Sequence, residues 1–301
     1  MIFVTSHNSF LLVVAYLEDR IIQKGEIMIQ VTAIMENKAS ENKALINEHG
    51  LSFFIEKGTR RILFDSGSGE HTLYNAHKLG IDLSELDYVV LSHSHYDHSA
   101  GYRDITEAGL GSKELYIGKG FFEKKYAFDG IKYTDLSCGF DLDFVKRQGK
   151  NIHEVSGKVR LFDDVYAYGG FERLSDFEVI PDRFVKKTES GFVKDDFSDE
   201  ICLVIEREDS VVMICGCSHP GITNMVREVR KAFGKPVSSV YGGIHLNEAD
   251  YKRTEDTMKT LHEMGIETGG FCHCSGDMAE TVCSTNGLEV CHLAVGDSVF
   301  I

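Results

Sequence analysis

His93-Ser94-His95-Tyr96-Asp97-His98 places three imidazoles and a carboxylate within six residues. Neutral imidazole nitrogens beside a carboxylate oxygen suit a borderline divalent ion such as zinc. Burying those groups together without a cation would leave their lone pairs unanswered, at considerable cost. The hexapeptide follows Tyr88-Val89-Val90-Leu91, an apolar run with the length and composition of a short buried strand. On an extended backbone His93 and His95 point to one side at period two, Asp97 can follow them, and His98 needs a turn to join.

Three later histidines also follow apolar runs. His219 lies in Cys215-Gly216-Cys217-Ser218-His219-Pro220-Gly221, His245 ends Gly242-Gly243-Ile244-His245, and His273 lies in Phe271-Cys272-His273-Cys274-Ser275-Gly276. A cluster of four ligands needs partners from elsewhere to fill two coordination shells. Histidines at the ends of other strands supply them, as a two-metal site assembled from loops at one edge of a sheet requires.

The elements that must position these residues follow from pattern. Strands are expected at 29–35, 51–56 and 61–64, the last two joined by the hairpin loop Lys57-Gly58-Thr59-Arg60 and ending at Asp65-Ser66-Gly67-Ser68-Gly69. A helix over 70–79 closes at Gly80. Strands return at 201–206, 211–215 and 237–241. Ile222, Met225, Val226, Val229 and Phe233 recur at helical spacing, and a further helix ends near Met264 and Gly265. Residues from about 100 to 200 are aromatic and charged with weak periodicity, which suggests an inserted or capping region that shapes a pocket. Residues 1–27 read as an N-terminal extension, with Met28 a candidate initiator, so the domain is expected over 28–301. No short repeat or low-complexity linker interrupts it, and two pseudo-duplicate halves are compatible with the order of elements.

Bulk properties fit an enzyme with a large core. Of 301 residues, 32 are Lys or Arg and 47 are Asp or Glu, a formal charge of −15. That balance disfavours nucleic acid and anionic membranes as partners but permits a local basic pocket for an anionic small molecule. Lys119, Lys124, Lys125 and Arg183 are candidates for such a pocket. The apolar run at 10–17 is too short to span a bilayer and lacks the flanks of a secretory signal. The expected location is therefore the cytoplasm, with the eight cysteines as thiols.

The chain resembles the metallo-β-lactamase superfamily, whose signature is His-x-His-x-Asp-His after a strand, preceded by an Asp at the end of an earlier strand. Here these are His93, His95, Asp97, His98 and Asp65. Asp199-Glu200, the segment Phe177-Glu178-Val179-Ile180-Pro181-Asp182-Arg183-Phe184 and the three later histidine motifs resemble its dihydropterin synthase-like branch. Proteins of that label are similar to a methanopterin-pathway enzyme joining a dihydropterin to a ribofuranosylaminobenzene phosphate. The resemblance implies an α/β fold, an αββα four-layer sandwich of two mixed β-sheets flanked by helices. It implies two divalent ions, zinc first, with iron or manganese as alternatives. His93, His95 and His219 would hold one, Asp97, His98 and His273 the other, with Asp65 orienting a ligand from behind. On turn preferences alone, Asp65 is instead a turn or cap residue.

One departure stands out. Where many relatives carry a metal-bridging Asp after a Gly, this chain has Gly216-Cys217. Cys217 is an extra ligand if its thiolate bridges; a bridging solvent beside His219 is the favoured alternative. Cys272 and Cys274 read as small buried hydrophobes rather than cluster ligands. The expected function is a metal-dependent hydrolase, using a metal-activated hydroxide on a small phosphorylated or cyclic ester. Asp97 would orient the nucleophile, and His245 would donate to developing oxyanion charge. The alternatives are a transferase joining a dihydropterin diphosphate to an arylamine, or a metal-binding protein without catalysis.

Overall fold

Strands with continuous apolar runs must bury both faces, and here both faces are covered. The computed structural model describes residues 28–301 and a two-residue strand at Val4–Thr5; the rest of the expected extension lies outside the described residues. Phe53 and Ile55 point to one side of their strand and Phe54 to the other; Ile62, Phe64 and Leu63 repeat this one strand over. In the second half, Leu203, Ile205, Val212 and Ile214 face inward, whereas Cys202, Val204, Met213 and Cys215 face outward. The inward sets meet in a core between two sheets. The outward sets are covered by helices, so the layers run αββα as expected.

The first sheet has, in spatial order, Val4–Thr5, Ser298–Phe300, Ile29–Met35, Ser52–Lys57, Arg60–Phe64, Tyr88–Val90, Glu114–Gly118 and Asn151–Val155. The second has Gly157–Phe162, Val165–Gly169, Ile201–Glu206, Val211–Cys215, Val237–Gly242, Thr268–Phe271 and Glu289–His292. In each, antiparallel pairing gives way to three consecutive parallel pairings. This shared pattern matches a pseudo-duplication. Parallel strands all end at the same edge, and there the histidine loops emerge.

The helix His71–Leu79 ends at Gly80, whose φ of 73° is the left-handed C-terminal conformation that glycine adopts without a Cβ penalty. Helix Ile222–Phe233 packs Met225, Val226 and Val229 on the second sheet. Its first turn is capped from a distant segment. The buried Glu178 carboxylate accepts from the Thr223 N–H (2.9 Å), the Thr223 hydroxyl (2.5 Å) and the Asn224 N–H (3.1 Å).

The stretch 100–200 divides. Glu114–Gly118 and Asn151–Val155 complete the first sheet, and Gly157–Phe162 with Val165–Gly169 begin the second. Only a separate four-stranded antiparallel sheet, ordered Gly191–Lys194, Phe184–Thr188, Lys124–Phe128 and Tyr133–Asp135, acts as a cap. It joins the histidine loop directly, through a bridge pairing His95 with Ser137 and a 2.8 Å hydrogen bond from the Tyr96 N–H to the Leu136 carbonyl. The inserted part is thus shorter than its composition suggested, because the core strands of this stretch carry charged residues at exposed positions. All eight cysteines are free thiols. No helix among the described residues is long and apolar enough to cross a membrane.

Replacing Glu178 by Ala would leave two buried N–H groups of the helix start without an acceptor, for an expected loss of about 2–4 kcal/mol. Urea denaturation checks this, and a loss under about 0.5 kcal/mol, the range of ordinary surface substitutions, would show that the cap is inconsequential.

Candidate metal centre

Strand Tyr88–Val90 gives way to bends at residues 92–94, and His95, extended with φ and ψ of −71° and 143°, leads into the short helix Tyr96–Ser99. Asp97 therefore reaches the site from a helical turn. It does not continue the strand's period of two, and the same turn brings His98 in.

His93, His95 and His219 converge, their ligand nitrogens lying within 4.8 Å of one another. The ring centroids of His93 and His95 are 4.7 Å apart, and each is 5.0 Å from that of His219. All three Nε2 atoms are buried without a hydrogen-bond partner. Burial holds all three imidazoles well below the usual histidine range, so they are neutral. Three unpartnered nitrogens on neutral rings are what a divalent ion needs, and nothing among the described residues satisfies them.

A second group lies alongside. The His98 and His273 Nε2 atoms are 3.1 Å apart, and Asp97 Oδ2 lies 3.2 Å from His273 Nε2 and 3.7 Å from His98 Nε2. On tetrahedral zinc, with Zn–N of about 2.0–2.1 Å, ligand atoms stand roughly 3.3 Å apart, so the spacing of this triad suits one ion. Asp97 is buried, which alone would raise its pKa, but His98, His273 and His49 outweigh burial and hold it well below the carboxylate range. For His98 the opposing effects fall the other way: burial lowers it, while Asp65 and Asp97 raise it to about 9. The field between these carboxylates thus favours a cation.

Asp65 orients both groups. Its Oδ1 accepts the Ser92 N–H (2.6 Å), and its Oδ2 accepts the Ser92 hydroxyl (2.8 Å) and the His98 Nδ1–H (2.7 Å). Because the Ser92 proton is given to Asp65, Ser92 Oγ accepts from His93 Nδ1, 3.0 Å away. One carboxylate thereby holds His98 directly and His93 through Ser92, more than a turn residue would do. Gly216 makes the arrangement fit, because a Cβ there would meet Ser92 Oγ and lie 3.1 Å from Asp65 Oδ2. Asp65, Ser218, His245 and His273 all adopt left-handed backbone conformations, with φ of 58°, 61°, 49° and 53°. Such strain concentrates where a backbone is held for function.

His245 lies beside the first group, its ring 4.3 Å from that of His219 and its Nε2 4.0 Å from Glu248 Oε1. Burial, with help from Arg253 and Arg183, lowers it to about 4, so it is neutral. Of the cations considered for an anionic ligand, Arg183 is paired with Glu248 at 2.9 and 2.5 Å. Lys119 and Lys124 are exposed. Lys125 is buried and cannot meet substrate; its Nζ lies 2.5 Å from Asp199 Oδ1, 3.2 Å from Asp195 Oδ2 and 4.4 Å from the Phe197 ring centre. Asp199 in turn accepts the Ser94 N–H at 2.9 Å, and Phe197 stacks on His219 at 3.8 Å.

Several participants have no sequence signal of their own. His49 places Nε2 3.1 Å from Asp97 Oδ2 and stacks on His273 at 5.0 Å. Asn37 Oδ1 accepts from His273 Nδ1 at 2.9 Å, with Nε2 toward the triad. Glu200, noted only as part of a motif, receives the N–H groups of Ser218 and of His219 (2.8 Å) and so holds their loop.

Comparison with known proteins agrees with this geometry. A family model described as the metallo-beta-lactamase superfamily matches residues 46–128. The chain is 31% identical over 270 residues to a protein of Methanocaldococcus jannaschii, 7,8-dihydropterin-6-methyl-4-(beta-D-ribofuranosyl)-aminobenzene-5'-phosphate synthase, spanning 84% of this chain and 90% of that one. Among solved structures it is similar to Tm1679, described as a metal-dependent hydrolase of the beta-lactamase superfamily, with a TM-score of 0.76, 26% identity, and coverage of 90% of this chain and 98% of that one. The metallo-beta-lactamase fold protein YhfI of Bacillus subtilis shares the fold at a TM-score of 0.52 and 12% identity, covering 91% of this chain and 100% of that one. The chain belongs to the metallo-beta-lactamase superfamily. Within it, the likeness to the M. jannaschii synthase extends over most of its length.

If His95 is a ligand, His95→Ala is expected to lower bound metal while the circular dichroism spectrum stays unchanged, since the residue lies outside the strands and helices; undiminished metal content by elemental analysis would contradict that role. Asp65→Asn is expected to weaken metal affinity by about 10–100-fold. Competition with a chromophoric chelator measures it, and wild-type affinity would show that Asp65 orients nothing.

Proposed function

We propose that the protein is a metal-dependent hydrolase of a small anionic ester, phosphorylated or cyclic. The observation that carries this reading is the convergence of three unpartnered, buried Nε2 atoms beside the Asp97, His98 and His273 triad. His93, His95 and His219 would hold one ion, and Asp97, His98 and His273 the other. Ions held there would lower the pKa of water toward about 7 and polarise a substrate oxygen. Zinc fits the nitrogen-rich donor set best.

The protein's own groups then divide the work. Asp97 stays ionised, so its Oδ2 holds and orients the proton of an attacking water rather than acting as a strong base. His245, being neutral, has an N–H to donate to negative charge developing on the substrate. Phe184, within 5.3–5.8 Å of the rings of His95, His219 and His245, covers the first group and excludes water from it. Arg183, next in the chain and held by Glu248, is placed to meet an anionic substrate group by exchanging partners.

A second reading is favoured by the 31% identity to a synthase. In it the same centre serves a transferase that joins a dihydropterin diphosphate to an arylamine carrying a ribose phosphate. Bis(p-nitrophenyl) phosphate separates the two. The hydrolase reading expects turnover that is lost on chelation and restored by zinc, with about two equivalents of metal bound. Metal without hydrolysis, together with product formation only when both pterin and arylamine are supplied, would establish the second reading instead.

A further inference from the structure

We infer that Cys217 is a thiolate ligand placed between the two ion positions, an inference that rests on the metal-centre reading above. Solvent is the simpler bridge on sequence grounds; the geometry favours sulfur. Cys217 Sγ is 3.0 Å from His98 Nε2, the ring nitrogen opposite the one bonded to Asp65. The same sulfur lies within 4.8 Å of the ligand atoms of both His93 and His98, and in a second cluster within 4.8 Å of those of His273 and Cys274. His93 belongs to the first ion position, while His98 and His273 belong to the second. His93 thus groups with His95 and His219 and also with His98 and Cys217, and its buried Nε2 has no hydrogen-bond partner among the described residues.

Charge points the same way. Five of the six assigned ligands are imidazoles, which carry no charge when they bind a metal, and Asp97 alone brings a negative charge against two divalent ions. Two dications against one anionic ligand leave a net charge of +3 to bury, and a thiolate at Cys217 lowers it to +2. On loading, the sulfur–metal bond replaces the S–H bond and the thiol proton leaves to solvent.

The sulfur is also held in place. Ser218, the next residue, sits at φ 61°, and its N–H and that of His219 both end on the buried Glu200. Cys274 is the less suitable thiol, because its Sγ lies 3.6 Å from the Cys217 carbonyl and donates to it.

The test is cobalt(II) substitution of the full chain, read by absorption and by bound cobalt. Wild-type protein is expected to bind about two equivalents and show a sulfur-to-cobalt charge-transfer band in the near ultraviolet. Cys217→Ser is expected to lose the band and to bind the second equivalent more weakly, whereas Cys274→Ser keeps both. A band that survives in Cys217→Ser, or two bound equivalents in wild type with no band, overturns the inference and leaves the metal centre standing. Failure of wild type to bind cobalt overturns both. Should the Cys217 variant misfold, zinc-edge X-ray absorption on the zinc-loaded wild type decides, with a sulfur scatterer at about 2.3 Å expected and a shell of only nitrogen and oxygen contradicting it.

Discussion

A single buried carboxylate determines the proton pattern on which the centre depends. Asp65 takes the Ser92 hydroxyl proton and the His98 Nδ1 proton, and through Ser92 it draws the His93 proton to Nδ1 as well. Each ring is left with Nε2 on the side facing its neighbours. Asn37 does the same for His273 from the opposite flank. These partners fix both rings with Nε2 toward the triad, where the His98 and His273 Nε2 atoms stand 3.1 Å apart. The stability cost of holding so many unpaired nitrogens away from water is borne by the two apolar cores on either side of the strands and the one between them.

The two sheets make that arrangement reachable. Each turns from antiparallel to parallel pairing near its middle, so the parallel strands of both deliver their ends to one edge. The loops there are short and leave the backbone little choice. Asp65, Ser218, His245 and His273 accept left-handed conformations that β-region residues avoid, and in return their side chains turn back across the edge of the sheet. The cap then closes over them, with Phe184 on one wall and the Lys125–Asp199–Ser94 connection on the other. This connection explains why a lysine is buried in the cap: Asp199 and Asp195 outweigh the burial that would otherwise lower its pKa, so it stays charged and ties the cap to the backbone of the histidine loop.

Much of this was legible in the sequence, for physical reasons that also mark where legibility ended. Strands Ile29–Met35, Ile201–Glu206 and Val211–Cys215 and helix Ile222–Phe233 fall where apolar pattern places them, because burial on both faces of a strand, or on one face of a helix, writes itself into consecutive residues. The histidines were readable because their types and their position after apolar runs are local. His49, Asn37 and Glu36 were not, since their contacts with Asp97 and His273 join segments far apart in the chain. Lys125 looked like a cation for substrate because nothing in its own neighbourhood reveals that two aspartates 70 residues on will bury it. The extent of the cap was overestimated for a related reason. Asn151–Val155 and Gly157–Phe162 carry polar residues on their outer faces as edge strands do, and that weakens the periodic signal of a sheet member.

The most direct test of the account is anomalous diffraction from crystals of the zinc-loaded protein, collected on either side of the zinc absorption edge. Two anomalous peaks are predicted, one among the Nε2 atoms of His93, His95 and His219 and one between Asp97, His98 and His273. Peaks located elsewhere, or none at full zinc loading, would contradict the claim that the buried lone pairs at this sheet edge exist to hold metal.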